Sequence, residues 1–498
     1  MPGSGARGAG GRDGDRPALG RGPAGARHAL LARIGPFGAR RGAVPAPKGG
    51  TTRGGADPAL AGAGRTSRRR GRAARSSRSA TGVLRGGRRA AQAGSRLPAR
   101  LQARHRFPRL PRRPPRVRVL AAAAAPGAPP PASAPACGED TVSSRLAELL
   151  HAAQDEHVPI NVLFELTNRC NEDCRHCYVD LGDVDGELTT AEVIRILDEL
   201  REAGTLFLTF TGGEIFTRRD ILTLIDEARR RRFALRLFTN GTLIGPREVE
   251  AIAAAGVVAV ELSLYAMDPA VHDAVTRRPG SHAKTVRAAE RLRAAGVPVV
   301  LKAPILRSAG EAYREVVAFA RKIGAEYRFD PSVVARYDLD ETPLAERIDG
   351  EALQRACADP DLGLAADPAS RRPPDPGDPI CATGRRVALI SARGLVYPCS
   401  QRFPPAGSLR EQSFREIWET SPLLLRLRNL TAQDLPVCSR CPSHALCGRC
   451  SLDALFEDGD FWGSQSRACA VAEARLSAGA RGGTTLAQRL RGLPGCGH

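Results

Sequence analysis

From Pro159 onward, short apolar runs alternate with amphipathic stretches along the chain. Apolar runs of four to eight residues are typical of buried strands, and the longer amphipathic stretches are typical of helices that cover a sheet. The pattern predicts strands over 160–166, 205–210, 233–238, 257–264, 297–305 and 325–329. It predicts intervening helices over 189–204, 219–232, 246–256, 282–295 and 310–324.

Local signals mark the ends of these helices. Thr189 and Glu192 have the spacing of a capping box, and Pro246 stands where a helix accepts proline in its first turn. Gly204 and Gly256 are suited to the left-handed conformation that ends a helix. Six strand-helix units predict an α/β fold, a partial parallel (β/α)6 barrel, with a flat doubly wound sheet as the alternative. In either fold, functional groups lie just after the carboxyl ends of the strands.

The pattern also predicts the division of the chain into domains. The barrel is expected over 158–335, and a Pro- and Asp-rich connecting segment with little structure of its own over 336–378. A small cysteine-rich domain follows over 379–475, then a tail over 476–498. Because the small domain has little apolar periodicity, we expect bound metal to stabilise it.

Charge is distributed unevenly along the 498 residues. Residues 1–136 hold 29 Lys and Arg against 3 Asp and Glu, a net of +26, so the remaining residues carry −5 of the total +21. The segment 1–140 is rich in Arg, Ala, Gly and Pro, a composition that predicts disorder. It is interpreted as a basic tail, a targeting peptide or, preferably, upstream sequence read through from a start placed too early, with Val142 as one possible true start.

Two sequence features bear on the cellular compartment. No run of 18 or more apolar residues is present, so no membrane-spanning helix is expected. No basic segment followed by an apolar core marks the N-terminus, so secretion is not indicated and the protein is expected in the cytoplasm. In that compartment clustered cysteines indicate metal or iron-sulfur binding rather than disulfides.

Three cysteines, Cys170, Cys174 and Cys177, follow the first predicted strand directly. A structural zinc site and a fully protein-bound 4Fe-4S cluster both need four ligands. Three thiolates on a cluster leave one iron open to a substrate or cofactor. The alternative is a zinc site completed by His176.

The pattern Cys170-x3-Cys174-x2-Cys177-Tyr178, on a loop after a first strand, resembles the signature of the radical S-adenosylmethionine (SAM) enzymes. The resemblance implies that the three cysteines are the catalytic metal ligands. The open iron would chelate the amino and carboxylate groups of SAM, and reductive cleavage would yield a 5′-deoxyadenosyl radical that abstracts hydrogen. The cofactor carries that chemistry, and the protein positions it.

Further residues match SAM-binding positions of this family. Gly212, Gly213 and Glu214 follow the second strand and resemble the family's GGE motif, which holds the methionyl amino group. Tyr178 resembles an aromatic residue near the adenine, whereas Asn240 and Ser263 match positions that contact the ribose and carboxylate. On their residues alone, each of these could equally serve packing or turn formation.

A second group of cysteines resembles the seven-cysteine SPASM domain, although two residues rather than the usual three separate Cys447 from Cys450. The resemblance implies two auxiliary 4Fe-4S clusters. One would be bound by Cys438, Cys441, Cys447 and Cys469. The other would be bound by Cys381, Cys399 and Cys450, with Cys357 as one candidate for a fourth ligand. A pair of zinc sites is the alternative.

Enzymes with this domain pair mostly modify peptides or proteins. The resemblance therefore implies a radical maturase of a ribosomal precursor peptide, served by a separate peptide-recognition protein and a flavodoxin- or ferredoxin-type reductant. A radical enzyme acting on a non-peptide substrate, in cofactor or tetrapyrrole biosynthesis, is the first alternative. The second is a zinc-stapled nucleic-acid-binding protein, which only the basic N-terminus and the cysteine pairs support, so nucleic acid is not an expected partner.

Overall fold

The computed structural model describes residues 139–182, 184–485 and 488. The predictions for residues 1–138 and for most of the C-terminal tail lie outside these residues. The described chain opens with helix α1, Glu139–Asp155, which the sequence pattern did not indicate. Among the described residues, no helix is both long and apolar enough to cross a membrane.

All six predicted strands occur, with ends displaced by one or two residues. They are β1 Asn161–Thr167, β2 Phe207–Gly212, β3 Ala234–Thr239, β4 Ala259–Ser263, β5 Val299–Pro304 and β6 Glu326–Asp330. Each pairs in parallel with the next, in the chain order β1 to β6. A doubly wound sheet would reverse its strand order. The sheet therefore forms the wall of a partial barrel, as the sequence pattern predicted.

Helices cover the outer face of this sheet. They are α2 Thr190–Glu202, α3 Ile221–Arg230, α4 Pro246–Ala255, α5 Pro269–Thr276, α6 Ser281–Ala294 and α7 Tyr313–Ile323. The capping box of Thr189 and Glu192 forms as expected, and Gly256 ends α4 in the left-handed region at φ 61°. Helix α5 was not predicted, because its eight residues, PAVHDAVT, span little more than two turns.

The core lies between the sheet and these helices. Phe164, Leu208 and Leu237 on the strands are fully buried, as are Ile196 and Leu224 on α2 and α3. The apolar side chains therefore fix the strands in register and direct their carboxyl ends to the same edge of the sheet.

The C-terminal part is continuous with the barrel sheet instead of forming a separate layer. Strand β7, Val387–Ile390, pairs in parallel with β1, with Val162 opposite Ala388. Strands β8, Leu395–Tyr397, and β9, Gly407–Ser408, extend the sheet in antiparallel fashion. The nine strands thus lie in the order β6-β5-β4-β3-β2-β1-β7-β8-β9.

The described chain forms five further α-helices after β6. They are α8 Gly350–Ala358, α9 Phe414–Thr420, α10 Pro422–Arg428, α11 Ser451–Asp458 and α12 Ser466–Ala480. Helix α8 lies within the segment expected to have little structure, and α12 extends into the segment expected to be a tail. A small apolar cluster that includes Phe403, Leu427 and Leu452 packs against Cys399 and Cys450, so this region has more of a core than its sequence suggested.

Candidate functional site

A cavity of about 410 Å³ opens at the carboxyl ends of the barrel strands. It is the position at which ligands bind in parallel α/β folds. Its wall includes eight of the residues predicted from sequence, namely Cys170, Cys174, Cys177, Tyr178, Gly212, Gly213, Asn240 and Ser263. The structure therefore brings the separate sequence motifs together in one cavity.

The loop that carries the three cysteines is held by main-chain hydrogen bonds to helix α5. The amide of Asp173 donates to the carbonyl of Thr276 at 3.1 Å, and that of Arg175 donates to Val275 at 3.0 Å. Within the loop, the Cys177 amide donates to the Cys174 carbonyl at 3.0 Å. The helix that the sequence pattern missed is thus the support of the cysteine loop.

The three cysteines are half-buried and lie close to one another. Burial raises the pKa of Cys170 to about 12 and raises the pKa of Cys174 and of Cys177 above the ordinary thiol value. The negative charge of nearby carboxylates, Glu172 for both and Glu214 for Cys170, raises the pKa of Cys170 and Cys174 further, and so does the thiolate charge of Cys177. The thiols would therefore be protonated without a metal, and metal binding would release their protons.

The glycine pair after β2 lies directly against the cysteine loop. A Cβ atom on Gly212 would lie 2.3 Å from the Thr167 carbonyl oxygen, and one on Gly213 would lie 2.2 Å from that of Arg169. The Gly213 amide donates to the Thr167 carbonyl at 2.8 Å. Only glycine permits this approach, which joins the floor of the cavity to the loop above it.

The carboxylate of Glu214 does not line the cavity. It is fully buried beneath the floor and accepts hydrogen bonds from the Thr239 hydroxyl at 2.7 Å and the Asn240 amide at 2.7 Å. Through these hydrogen bonds, the Glu214 side chain connects the ends of β2 and β3. The role in holding the methionyl amino group, which the resemblance implied for this motif, stays a prediction.

Asn240, Ser263 and Tyr178 also line the cavity. The Asn240 side chain donates to the Asn171 side-chain oxygen at 2.9 Å, which connects the end of β3 to the cysteine loop. Ser263 ends β4 and interacts with the Tyr265 hydroxyl. The Tyr178 ring is 37% exposed and meets the ring of Tyr337 edge-on, with 5.4 Å between centroids. Tyr178 therefore has both a packing contact and a face available to a ligand.

His176, the candidate fourth zinc ligand, is paired with a tyrosine. Its Nε2 lies 2.9 Å from the hydroxyl of Tyr265. Burial lowers the pKa of His176 to about 4, so the ring is neutral at neutral pH. The tyrosine contact accounts for this ring nitrogen without a metal.

A buried ion pair in the wall was missed by sequence reasoning. Lys302 on β5 donates to the carboxylate of Glu261 on β4 at 2.9 Å, and its ammonium lies over the ring of Phe238. Burial lowers the pKa of Lys302 to about 8, although Glu261 opposes the change. The signal available in the sequence was one charged residue in each of two neighbouring apolar strands. Arg328 and Asp330 on β6, and Ser332 just after it, continue this wall.

Seven further described cysteines lie near one another in two sets. Burial raises the pKa of Cys447, and the thiolate charges of Cys469, Cys438 and Cys441 raise it further, so these four thiols are neighbours. In the same way Cys450 and Cys381 raise the pKa of Cys399, although burial is the larger cause of its rise to about 12.

The short Cys447–Cys450 connection is stabilised by Arg449. Its guanidinium donates to the carbonyls of Gly463 at 2.8 Å and Phe461 at 2.7 Å, and to the Ser451 hydroxyl at 2.7 Å. Cys357 is fully buried and lies in the wall of a different cavity.

The donor sets fit iron-sulfur clusters better than single ions. In the described part of the chain, no three His, Cys, Asp or Glu side chains are gathered tightly enough to hold one metal ion. A four-iron cluster is wider than one ion, so the thiols around it stand further apart than the ligands of zinc. A set of three thiols suits a 4Fe-4S cluster with one iron left open, and a set of four suits a cluster whose irons are all bound by protein.

Comparisons with known proteins agree with this geometry. The family model of the radical SAM superfamily matches residues 164–323, and that of an iron-sulfur cluster-binding domain, SPASM, matches residues 381–442. The mycofactocin maturase MftC of Mycobacterium ulcerans is 30% identical over 342 residues, which are 64% of this chain and 89% of the relative. The chain belongs to the radical SAM superfamily.

Two further proteins extend the comparison for this radical SAM enzyme. An AdoMet-dependent heme synthase of Methanosarcina barkeri is 28% identical over 336 residues, which are 61% of this chain and 95% of the relative. The crystal structure of Streptococcus suis SuiB bound to the precursor peptide SuiA is 16% identical. It has a TM-score of 0.51 and covers 67% of this chain and 82% of its own. The similarity to SuiB supports the fold alone.

Membership of this superfamily confirms the cofactors expected from the sequence. A radical SAM enzyme with a SPASM domain uses 4Fe-4S clusters and S-adenosylmethionine. The cavity fits that pair, because its three thiols are one fewer than a closed cluster requires. The cavity also extends away from the thiols, along residues between Asn240 and Asp330, and this part leaves room for a second ligand.

Proposed function

We propose that this radical SAM enzyme matures a ribosomally made peptide, from which it abstracts a hydrogen atom. The observation that carries the proposal is the single cavity in which the cysteine loop and the glycine pair face a wall formed by the ends of β5 and β6. The similarity to a mycofactocin maturase supports a peptide substrate.

We assign Cys170, Cys174 and Cys177 as the ligands of the catalytic cluster. When bound, the reduced cluster with SAM supplies one-electron cleavage of the cofactor and, from that, hydrogen-atom abstraction. The protein's own contribution is positioning and exclusion of water. Gly212 and Gly213 hold the floor against the cysteine loop, and Asn240 ties that loop to β3.

We assign the opposite wall to the substrate. Phe238, Val333 and Val334 are apolar and exclude water from it, while Lys302 and Arg328 supply positive charge. Tyr178 and Ser263 lie between the two walls and would contact SAM. Glu214 would act through Thr239 and Asn240, by keeping the end of β3 in place.

We assign the SPASM cysteines to two auxiliary clusters. Cys438, Cys441, Cys447 and Cys469 would bind one closed cluster. Cys381, Cys399 and Cys450 would bind the other, with one iron left for a further ligand. The chemistry that these clusters would supply is one-electron transfer.

The proposed partners follow from the chemistry. Reduction of the catalytic cluster needs a low-potential donor, for which we propose a flavodoxin or ferredoxin. A separate peptide-recognition protein would present the precursor. Reduced thiols and iron-sulfur clusters fit the cytoplasm, where cysteines are kept reduced.

A second candidate function is a radical reaction on a tetrapyrrole. The similarity to a heme synthase favours it, and Lys302 and Arg328 would pair with the carboxylates of such a substrate. The peptide proposal is preferred, because the maturase is the more identical of the two relatives.

The test uses full-length protein reconstituted anaerobically with iron and sulfide. The probes are the peptides encoded by short reading frames beside the gene, mixed with SAM and dithionite. The proposal expects a change of peptide mass together with 5′-deoxyadenosine, both absent in Cys170→Ala. Unchanged peptides with consumption of an added iron-free tetrapyrrole would favour the second candidate.

A further inference from the structure

A second cavity lies on the other side of the segment that follows β6. Its volume is about 280 Å³, and it shares Asp330, Ser332, Val333 and Val334 with the main cavity. Three arginines, Arg347, Arg467 and Arg475, line it, and we name it the arginine pocket. Gly448, between the cysteines of the two auxiliary groups, forms part of the same wall.

Arg467 has no carboxylate within 4.0 Å in the described part of the chain. One of its terminal nitrogens donates to the Pro331 carbonyl at 3.1 Å. A guanidinium has five N–H donors, so most of those of Arg467 have no acceptor among the described residues, and the side chain lies in the wall of the pocket. The half-buried side chain therefore carries a positive charge without a carboxylate partner among the described residues.

The acidic residues near Arg467 are already paired. Glu457 accepts two hydrogen bonds from Arg347, at 2.8 and 2.7 Å. Asp349 accepts one from Arg307 at 2.9 Å. Arg347 thus brings no uncompensated charge to the pocket. Neither carboxylate bonds to Arg467, although both raise its pKa from a distance, against the larger lowering by burial.

Arg475 lies on the same helix, two turns further along. Its Nε donates to the Leu364 carbonyl at 2.8 Å and one terminal nitrogen donates to the Leu446 carbonyl at 3.0 Å. Both acceptors are neutral, so they orient the guanidinium without cancelling its charge. Of the two carboxylates in the described wall, Asp453 is bonded to Arg402 and Asp330 is exposed.

We propose that the arginine pocket binds a carboxylate of the peptide substrate, on a residue other than the one that reacts. This inference rests on the proposed peptide function. A partly buried guanidinium fork is suited to a carboxylate, because charge-assisted bonds strengthen where water is excluded. The segment 330–334 is a wall of both cavities, so a peptide that reaches the main cavity past this segment would bring a nearby residue to the pocket.

The carboxylate has two possible sources, an acidic side chain or the end of the peptide chain. The probes are three pentapeptides that carry the same uncharged fluorophore. The first is Ala-Ala-Glu-Ala-Ala as the amide, and the second is Ala-Ala-Gln-Ala-Ala as the amide. The third is Ala-Ala-Gln-Ala-Ala with a free C-terminal carboxylate. Binding to the full-length, reconstituted protein with SAM is measured by fluorescence anisotropy.

The inference expects the protein to bind one of the carboxylate peptides about tenfold more tightly than the uncharged peptide. Which of the two binds tighter identifies the source. Arg467→Gln should abolish the preference, and Arg467→Lys, which keeps the charge without the fork, should retain part of it. Arg481→Gln, an exposed change at the end of the same helix, is the matched control and should keep the full preference.

Equal binding of all three peptides, or a full preference in Arg467→Gln, would overturn the inference. Formation of 5′-deoxyadenosine by the same preparations separates this outcome from a failure of the proposed function. If the protein forms 5′-deoxyadenosine but shows no carboxylate preference, its radical activity is intact and only the inference about the arginine pocket is wrong. Protein that forms none contradicts the proposed function itself.

Discussion

Gly213 shows how one missing side chain keeps two parts of the site together. Its Cα faces the main chain at Arg169, the residue before Cys170, and the following amide, that of Glu214, donates to the Arg169 carbonyl at 2.7 Å. The sequence motif suggested that the glycines allow a ligand to approach. In the structure, the neighbour that demands glycine is the cysteine loop itself.

Replacement of Gly213 by alanine should therefore displace the cysteine loop. Its Cβ would meet the Arg169 carbonyl at 2.2 Å, and relief of such overpacking costs about 1–3 kcal/mol. We expect Gly213→Ala to form 5′-deoxyadenosine at least about tenfold more slowly, which equals about 1.4 kcal/mol of activation free energy. Gly377→Ala, where a Cβ would meet nothing within 4 Å, is the control and should match the wild type. A wild-type rate for Gly213→Ala would refute the structural role given to this glycine.

Local sequence signals predicted the individual strands and helix ends, but not the contacts between distant segments. The six barrel strands and the Thr189 capping box follow from apolar runs and from cap residues, whose effects act within a few residues. The pairing of β7 with β1 joins segments more than 220 residues apart, and no local pattern encodes it. The Lys302–Glu261 pair was missed for the same reason, since it depends on the register of two strands.

The pairing of β7 with β1 predicts that the barrel is not stable alone. A chain that ends at Pro379 would leave the edge of β1 unpaired, and exposed edges of this kind favour aggregation. We expect this truncated chain to elute as aggregate in size-exclusion chromatography. A chain that ends at Thr485 keeps β7 and should elute like the full-length protein. A monodisperse, folded barrel without β7 would contradict this view of the sheet.

At the scale of the whole molecule, Glu165 connects three distant segments. Its buried carboxylate on β1 accepts a hydrogen bond from the Tyr337 hydroxyl at 2.7 Å and another from the side chain of Gln401. Tyr337 follows the last barrel strand, and Gln401 lies next to Cys399 and Ser400 in the SPASM region. Burial raises the pKa of Glu165 to about 7, although both hydrogen bonds lower it.

This carboxylate should make stability depend on pH. The unfolded pKa is near 4.5 and the folded pKa near 7, so the folded state binds the proton more tightly. The resulting stabilisation is complete below about 4.5 and is lost as pH rises through about 7, with an upper limit of about 3 kcal/mol.

Glu165→Gln should not show this loss. Melting temperatures measured anaerobically at pH 5.5 and 7.5, at one scan rate, should fall several degrees more in the wild type than in the variant. Other titrating groups, such as Glu172, are present in both proteins and cancel in the comparison. An identical pH dependence in the two proteins would show that Glu165 is not the titrating group.

The central claim is that the cysteines hold three iron-sulfur clusters and that Cys170, Cys174 and Cys177 hold the catalytic one. The most direct measurement is the iron and acid-labile sulfide content of anaerobically reconstituted protein, compared with the triple alanine variant at these positions. Cys357→Ala is the matched control, because its buried thiol belongs to neither group. We expect about twelve irons for the wild type and the control, and about eight for the triple variant. Unchanged iron in the triple variant, or bound zinc in place of iron, would contradict the central claim.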